Sequence, residues 1–266
     1  MEKKLHLVEG VPAVGKSTYS YRLKSELESI GMNVKYFKEE TCQPVDLFRQ
    51  AVLTKEQYLK IINMNPSGKF IKEIEENSCN LGVYIIVAYT QLNYSSQLEK
   101  EVFSLMRKFD IGDGHVDYNE YKRFHFLLWD EFAKKTKEED CCYIAEGAFL
   151  HNQLLDIIGF YDLSYDSIKS YYSTLISIIL PLKPRVYYLY PSNVEILVNN
   201  ALKERGCWSG SWGHGFFKWL QYSQFGKRLN LSGKEGLTTV YRKLNDLSLQ
   251  ILDDSGLDID FIERKM

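Results

Sequence analysis

The sequence has little of what secreted and membrane proteins depend on. Its 266 residues include only five cysteines, an odd number without a C-x-x-C pair, which argues against a disulfide scaffold and a structural zinc site. The longest apolar stretches, such as 175–182, are far too short to span a bilayer. The apolar run at the N-terminus breaks at Glu9, before a secretory signal is complete. We therefore expect an intracellular, cytoplasmic protein without a membrane partner.

Neither sign of charge is in excess, and no linker divides the chain. Lysine and arginine number 33 against 35 aspartates and glutamates, so the net charge of −2 gives no overall attraction to nucleic acid. Hydrophobic residues make up 45% of the chain and charged residues 26%, which is enough for a sizeable core. With only six prolines and no repeats, residues 1–266 are expected to form a single domain without a nucleic-acid partner.

Short apolar segments alternate with amphipathic ones along most of the chain. The apolar segments predict strands at 4–8, 34–37, 141–145, 186–190 and 257–261. Helical spacing of apolar residues predicts helices after the first strand, over 118–135 and near the C-terminus. This alternation predicts an α/β fold with a mainly parallel sheet of about five strands flanked by helices, and a largely helical insert over 45–140.

Local signals add detail to this outline. Thr54 and Gln57 predict a capping box that opens a helix, and Ser192 and Glu195 predict another. Within the insert, the β-branched segment 83–87 predicts a strand.

The strongest motif is G-x-x-x-x-G-K-S, which lies between a short apolar strand and an amphipathic helix. Its glycines let the backbone curl around one anion, and the following helix adds its positive end. Lys16 would neutralise the β- and γ-phosphates, Ser17 would bind Mg²⁺, and Thr18 would touch an inner phosphate. The pattern predicts that ATP and Mg²⁺ bind at Gly10, Val11, Pro12, Ala13, Val14, Gly15, Lys16, Ser17 and Thr18.

Two classes of nucleotide-binding protein do not fit this sequence. A signalling GTPase needs an Asn-Lys-x-Asp element to read guanine, and the chain contains none. The segment 231–236 hints at a transporter ATPase, but no strand ending in Asp-Glu follows it.

The opening of the chain resembles the nucleoside and nucleotide kinase branch of P-loop NTPases, typified by thymidylate kinases. Residues 8–18 are similar to the E-G-x-x-x-x-G-K-S-T opening of that branch. The Lys-Glu39-Glu40 end of the second strand, followed by Pro44, is similar to a Glu-Pro element of deoxynucleoside kinases. The resemblance implies a P-loop kinase-like sheet closed by a lid. It also implies that Glu39 or Glu40 is the base toward the substrate hydroxyl.

Later elements carry the same resemblance more loosely. Glu146 ends the third core strand, where the family has an acidic D/E-R element, and it would hold Mg²⁺ or orient the acceptor. Ala148 stands where an arginine would be expected. Residues 188–206 are similar to the strand, helix and arginine-bearing start of the lid, so Arg205 would supply positive charge. The glycine-rich segment 206–215 is the candidate lid.

Two functions remain open at this point. The first is an ATP- and Mg²⁺-dependent small-molecule kinase, which moves the γ-phosphoryl group to a hydroxyl or phosphate acceptor. Its catalytic residues would be Lys16, Glu39 or Glu40, Glu146 and Arg205, and the paired acids and glycine-rich flap favour it. The second is a regulatory or scaffold protein that binds ATP and hydrolyses it slowly. The absent arginine and the unmatched insert favour this second function.

Overall fold

The fold was analysed in a computed structural model, which describes residues 3–39, 41–64, 68–204 and 211–265, with the backbone alone over 211–214. Its strands are β1 (Leu5–Gly10), β2 (Val34–Phe37), β3 (Ala51–Thr54), β4 (Ser78–Asn80), β5 (Tyr84–Val87), β6 (Cys142–Glu146), β7 (Arg185–Pro191) and β8 (Asp258–Arg264). Its α-helices are α1 (Lys16–Ser29), α2 (Lys55–Met64), α3 (Gly68–Glu76), α4 (Gln97–Met106), α5 (Tyr118–Thr136), α6 (His151–Asp156), α7 (Tyr165–Ile179), α8 (Val194–Glu204), α9 (Ser211–Tyr222), α10 (Gln224–Arg228) and α11 (Gly233–Asp253).

Five parallel strands form the main sheet, in the order β2-β6-β1-β7-β8. Every residue of β1 and β6 is buried, as expected for central strands covered on both faces. The edge strand β8 has mostly alternating exposed and half-buried residues, which matches its period-two sequence. The sheet and its flanking helices confirm the predicted α/β architecture.

The chain leaves two neighbouring central strands in opposite directions. From β1 it runs through α1 to β2 at one edge, whereas from β7 it continues to β8 at the other edge. In open α/β sheets, ligands bind outside the carboxyl ends of the strands at such a point. The loop that follows β1 begins here.

The segment 45–140 contains four helices and a second sheet. Helices α2 to α4 pack with a three-stranded antiparallel sheet, in the order β3-β5-β4, around a small core of their own. Helix α5 instead buries Tyr121, Leu128 and Phe132 in the main core. The sequence indicated β5 but neither β3 nor β4.

The two predicted helix starts have different outcomes. The capping box before α2 is confirmed, because the Thr54 amide donates to Gln57 Oε1 at 2.7 Å and the Gln57 amide to Thr54 Oγ1 at 3.2 Å. The box predicted from Ser192 is wrong. Asn193 Oδ1 accepts from the amide of Ile196 at 3.0 Å instead, and Glu195 pairs with an arginine of α11.

Across the described ranges, no helix is both long and apolar enough to cross a membrane.

Candidate functional site

The loop between β1 and α1 has backbone conformations that favour glycine. Gly10, Ala13 and Gly15 all have positive φ, at 143°, 64° and 97°. A Cβ at Gly10 would lie 2.2 Å from the carbonyl oxygen of Leu189 in β7, so only glycine fits there. Gly15 is the N-cap of α1, which places the positive end of that helix at the cavity described below.

Lys16 is the first residue of α1, and its side chain is only 4% exposed. Its ammonium donates to the carbonyl oxygen of Gly10 at 3.2 Å and to His151 Nδ1 at 2.5 Å. It also lies 3.3 Å from Glu39 Oε2, which the end of β2 brings into the site. The predicted lysine and one predicted carboxylate therefore meet in a single ion pair.

His151 is held as a neutral hydrogen-bond acceptor. Burial and then the charge of Lys16 lower the pKa of His151 to about 3, so Nδ1 can accept the lysine proton at neutral pH. Glu9, a fully buried residue of β1, holds the backbone of His151 in place. Glu9 accepts the amide of His151 at 3.0 Å and that of Phe149 at 2.8 Å. Burial raises the pKa of Glu9 to about 7.

A second pair joins the phosphate loop to the third core strand. Ser17 Oγ donates to Glu146 Oε1 at 2.5 Å, and the hydroxyl of Tyr36 on β2 donates to the other carboxylate oxygen. Glu146 is 1% exposed, and its backbone oxygen accepts a hydrogen bond from the side-chain Nε2 of Gln43 at 2.8 Å. The structure therefore brings together the two residues predicted to hold Mg²⁺.

These groups face a cavity of about 540 Å³, a size typical of small-ligand sites. One part of the lining is the β1–α1 loop together with Glu39, Glu146 and His151. A second wall comes from the insert and from α6 and α9. Its side chains are mainly aromatic or charged, and include Phe48, Arg49, Asp113, Asp156, Trp219 and Tyr222.

The second wall of the cavity combines carboxyl groups with aromatic rings. The amide of Asp113 donates to Asp156 Oδ1 at 3.0 Å, and burial raises the pKa of both carboxyls. Trp219 lies over Gly159, where a Cβ would come within 2.5 Å of the indole. The hydroxyl of Tyr222 counters part of the rise in the pKa of Asp113. Carboxyl groups and aromatic rings are therefore the groups that this second wall offers to a ligand.

The predicted site residues fall into three groups. Pro12, Ala13, Gly15, Lys16, Ser17 and Thr18 line the cavity with Glu39 and Glu146. The side chains of Val11 and Val14 are buried in the hydrophobic core, so only their backbone can serve a ligand. Glu40, Arg205 and residues 206–210 of the candidate lid at 206–215 lie outside the described residues, whereas the backbone of 211–215 forms the first turn of α9.

No motif in the sequence assigns a role to four further residues of the site, His151, Tyr36, Gln43 and Glu9. Tyr36 is brought to Glu146 by the parallel pairing of β2 with β6, in which it lies opposite Ile144. His151 follows the Glu146-Gly147 loop by a few residues, and the position of a polar residue just after a core strand is the one signal for it in the sequence.

The oxygen donors of this site suit Mg²⁺ if a substrate supplies the remaining ligands. A hydroxyl and a carboxylate are hard donors, and Mg²⁺ is commonly bound by one or two protein groups together with substrate phosphates. In the part of the chain that the structure describes, no group of three or more histidine, cysteine or acidic residues could hold a metal ion alone. Ser17 and Glu146 therefore fit Mg²⁺ that arrives with a nucleotide.

Comparison with models of known protein families found no match, and comparison with curated protein sequences found no relative.

Proposed function

We propose that the protein is an ATP- and Mg²⁺-dependent small-molecule kinase of the P-loop type. One observation carries the proposal: a single cavity is lined by the β1–α1 loop with its lysine, by two carboxylates at the ends of neighbouring parallel strands, and by aromatic and acidic side chains of the insert, α6 and α9. The sheet order, with the loop leaving a central strand at a change of direction, supports the same proposal. The resemblance of residues 8–18 to nucleoside and nucleotide kinases agrees with it.

The donor side consists of the phosphate loop and the start of α1. Lys16, with the helix N-terminus, would bind the β- and γ-phosphates of ATP. Ser17 and Glu146 would hold Mg²⁺, which neutralises charge on the transferring phosphoryl group when it is bound. Tyr36 and Gln43 fix the position of Glu146 through its side-chain and backbone oxygens.

The acceptor side consists of Glu39 and the second wall of the cavity, which comes from the insert, α6 and α9. Glu39 lies beside Lys16 with its side chain 22% exposed, so it can reach both the phosphate position and a second ligand. It would accept the proton of an attacking hydroxyl and orient its oxygen toward the γ-phosphorus. Trp219 and Tyr222 would flank an acceptor that donates hydrogen bonds to Asp113 and Asp156.

A transfer screen tests the proposal. Purified protein is incubated with Mg²⁺ and ATP labelled in the γ-phosphate, together with nucleosides, nucleotides, sugars or aminoglycosides. Each sugar is paired with its amino derivative, so that the response to hydrogen-bond donors is read directly. We expect at least one acceptor class to become labelled, and Lys16→Ala to abolish the labelling. Release of inorganic phosphate with no labelled acceptor would contradict the proposal.

That outcome would support the alternative of a regulatory or scaffold protein with slow ATP hydrolysis. One observation favours this alternative. Ala148, which stands where the kinase branch has an arginine, is fully buried and places no cation near Glu146.

A further inference from the structure

Two cysteines from different parts of the fold meet at the junction of the insert and the main domain. Cys42 lies between β2 and β3, and Cys79 lies in the middle of β4. Their sulfur atoms are 2.6 Å apart, although 37 residues separate them in sequence. Non-bonded heavy atoms make their best contact at about 3.5–4.0 Å. The two side chains therefore point directly at each other, close to the roughly 2.05 Å of a sulfur–sulfur bond.

The surrounding backbone holds both sulfur atoms in this arrangement. Cys79 lies opposite Ile86 in the antiparallel pairing of β4 with β5. Its thiol is 3.3 Å from the carbonyl oxygen of Cys42, while the Cys42 thiol is 3.6 Å from the carbonyl oxygen of Ile86. Neither residue is fully buried.

The two thiols differ in acidity, which sets the order of their reactions. The hydrogen bond from Cys42 lowers the pKa of the Cys79 thiol, and the charge of Lys135 adds to this effect. The same hydrogen bond, together with burial, raises the pKa of Cys42. Cys79 is therefore the nucleophile of the pair, because the thiolate is the reactive form.

We propose that Cys42 and Cys79 form a reversible disulfide that ties the segment after β2 to the insert sheet. With a small-molecule disulfide such as oxidised glutathione, the Cys79 thiolate attacks one sulfur and releases one glutathione thiolate. Cys42 then gives its proton to the released glutathione thiolate and attacks the Cys79 sulfur of this mixed disulfide, which releases the second glutathione as a thiolate. Two electrons pass from the protein to the oxidant, and one sulfur–sulfur bond replaces another.

The bond would act on a segment that serves the candidate site. Cys42 is three residues beyond Glu39, and its neighbour Gln43 donates to the backbone of Glu146. A bond between Cys42 and Cys79 would therefore link the insert sheet to the segment that lies next to Glu39 and Glu146. A single redox-sensitive pair of this kind is a different feature from the disulfide scaffold that the cysteine pattern argues against.

The test uses the full chain and three serine variants. Native protein is equilibrated with oxidised glutathione, alkylated and digested, and its peptides are identified by mass spectrometry. We expect one cross-linked peptide containing Cys42 and Cys79 in the wild type and in Cys141→Ser, whose thiol is buried elsewhere. Neither Cys42→Ser nor Cys79→Ser should form it, and dithiothreitol should remove it.

Thermal unfolding gives a second measurement. Closing a loop of this length restricts the unfolded chain, so oxidation should raise the melting temperature by roughly 5–10 °C in the wild type and Cys141→Ser only. The proposal is overturned if both thiols are still free for alkylation after treatment with oxidised glutathione, or if each carries a separate glutathione adduct. It is also overturned if either cysteine is linked to a different cysteine. None of these results depends on kinase activity.

Discussion

Replacing Lys16 with alanine isolates the contribution of one buried charge to nucleotide binding. The ammonium donates both to the carbonyl of Gly10 and to His151. A hydrogen bond to a charged group contributes about 1.5–3 kcal/mol, so loss of the phosphate contact should weaken ATP·Mg²⁺ binding by roughly 10- to 100-fold. Isothermal titration calorimetry measures this change directly.

The same variant has a second expected effect within the protein. Because the charge of Lys16 helps to lower the pKa of His151, that pKa should rise in Lys16→Ala, although burial keeps it below its usual range. Histidine resonances followed by NMR over a pH series would show the rise. Lys24→Ala is the matched control, since Lys24 lies on the same helix in an exposed pair with Glu28. Unchanged ATP affinity in Lys16→Ala would refute the assignment of the phosphate loop.

Three further predictions concern other groups. Glu39→Gln should lower the rate of phosphoryl transfer by about 10²–10⁴ while ATP affinity holds, because the variant lacks a base; equal rates would place the base elsewhere. Gly10→Ala should destabilise the protein by several kcal/mol or prevent folding, since its Cβ would meet the carbonyl of Leu189 at 2.2 Å, whereas Gly68→Ala, with nothing within 4 Å, should be tolerated in urea unfolding. Burial lowers the pKa of His6 from 6.5 to about 4, so the neutral form stabilises the fold above pH 6.5 and this stabilisation is lost as the pH falls toward 4. Between pH 6.5 and 4, the free energy of unfolding of His6→Gln should therefore fall by about 3 kcal/mol less than that of the wild type. Urea titrations that show the same fall for both proteins would contradict this prediction.

The elements with strong local patterns could be predicted from the sequence. Continuous apolar runs predicted the central strands, and β8 was evident from its alternation because one side of an edge strand faces water. The start of α8 was displaced by one residue. Ser192 and Asn193 are both good caps, and the choice between them depends on where β7 ends rather than on propensity. Strand β4 has only three residues, and its pairing with β5 gives no periodic signal in so short a segment.

Only the part of the candidate site that lies within one contiguous motif could be predicted from the sequence. The G-x-x-x-x-G-K-S motif is contiguous in sequence, so its spacing singled out Lys16 and Ser17 together, and the structure places both on the same cavity. The contacts of Glu146 come from a distance, since the hydroxyl of Tyr36 reaches it across 110 residues of chain. Such partners depend on strand order and register, which the sequence pattern does not encode locally. The structure adds His151 for the same reason, because α6 returns it to the lysine from 135 residues away.

The contact between Lys16 and Glu39 implies an order of events for the proposed reaction. As long as the ammonium is 3.3 Å from that carboxylate, the group intended for the acceptor is engaged by the group intended for the donor. In the proposed reaction, a triphosphate that binds Lys16 would compete for the same ammonium and would free the carboxylate for an acceptor. The acceptor would then meet a competent base only after ATP has bound, so sequential addition with the nucleotide first follows from one ion pair.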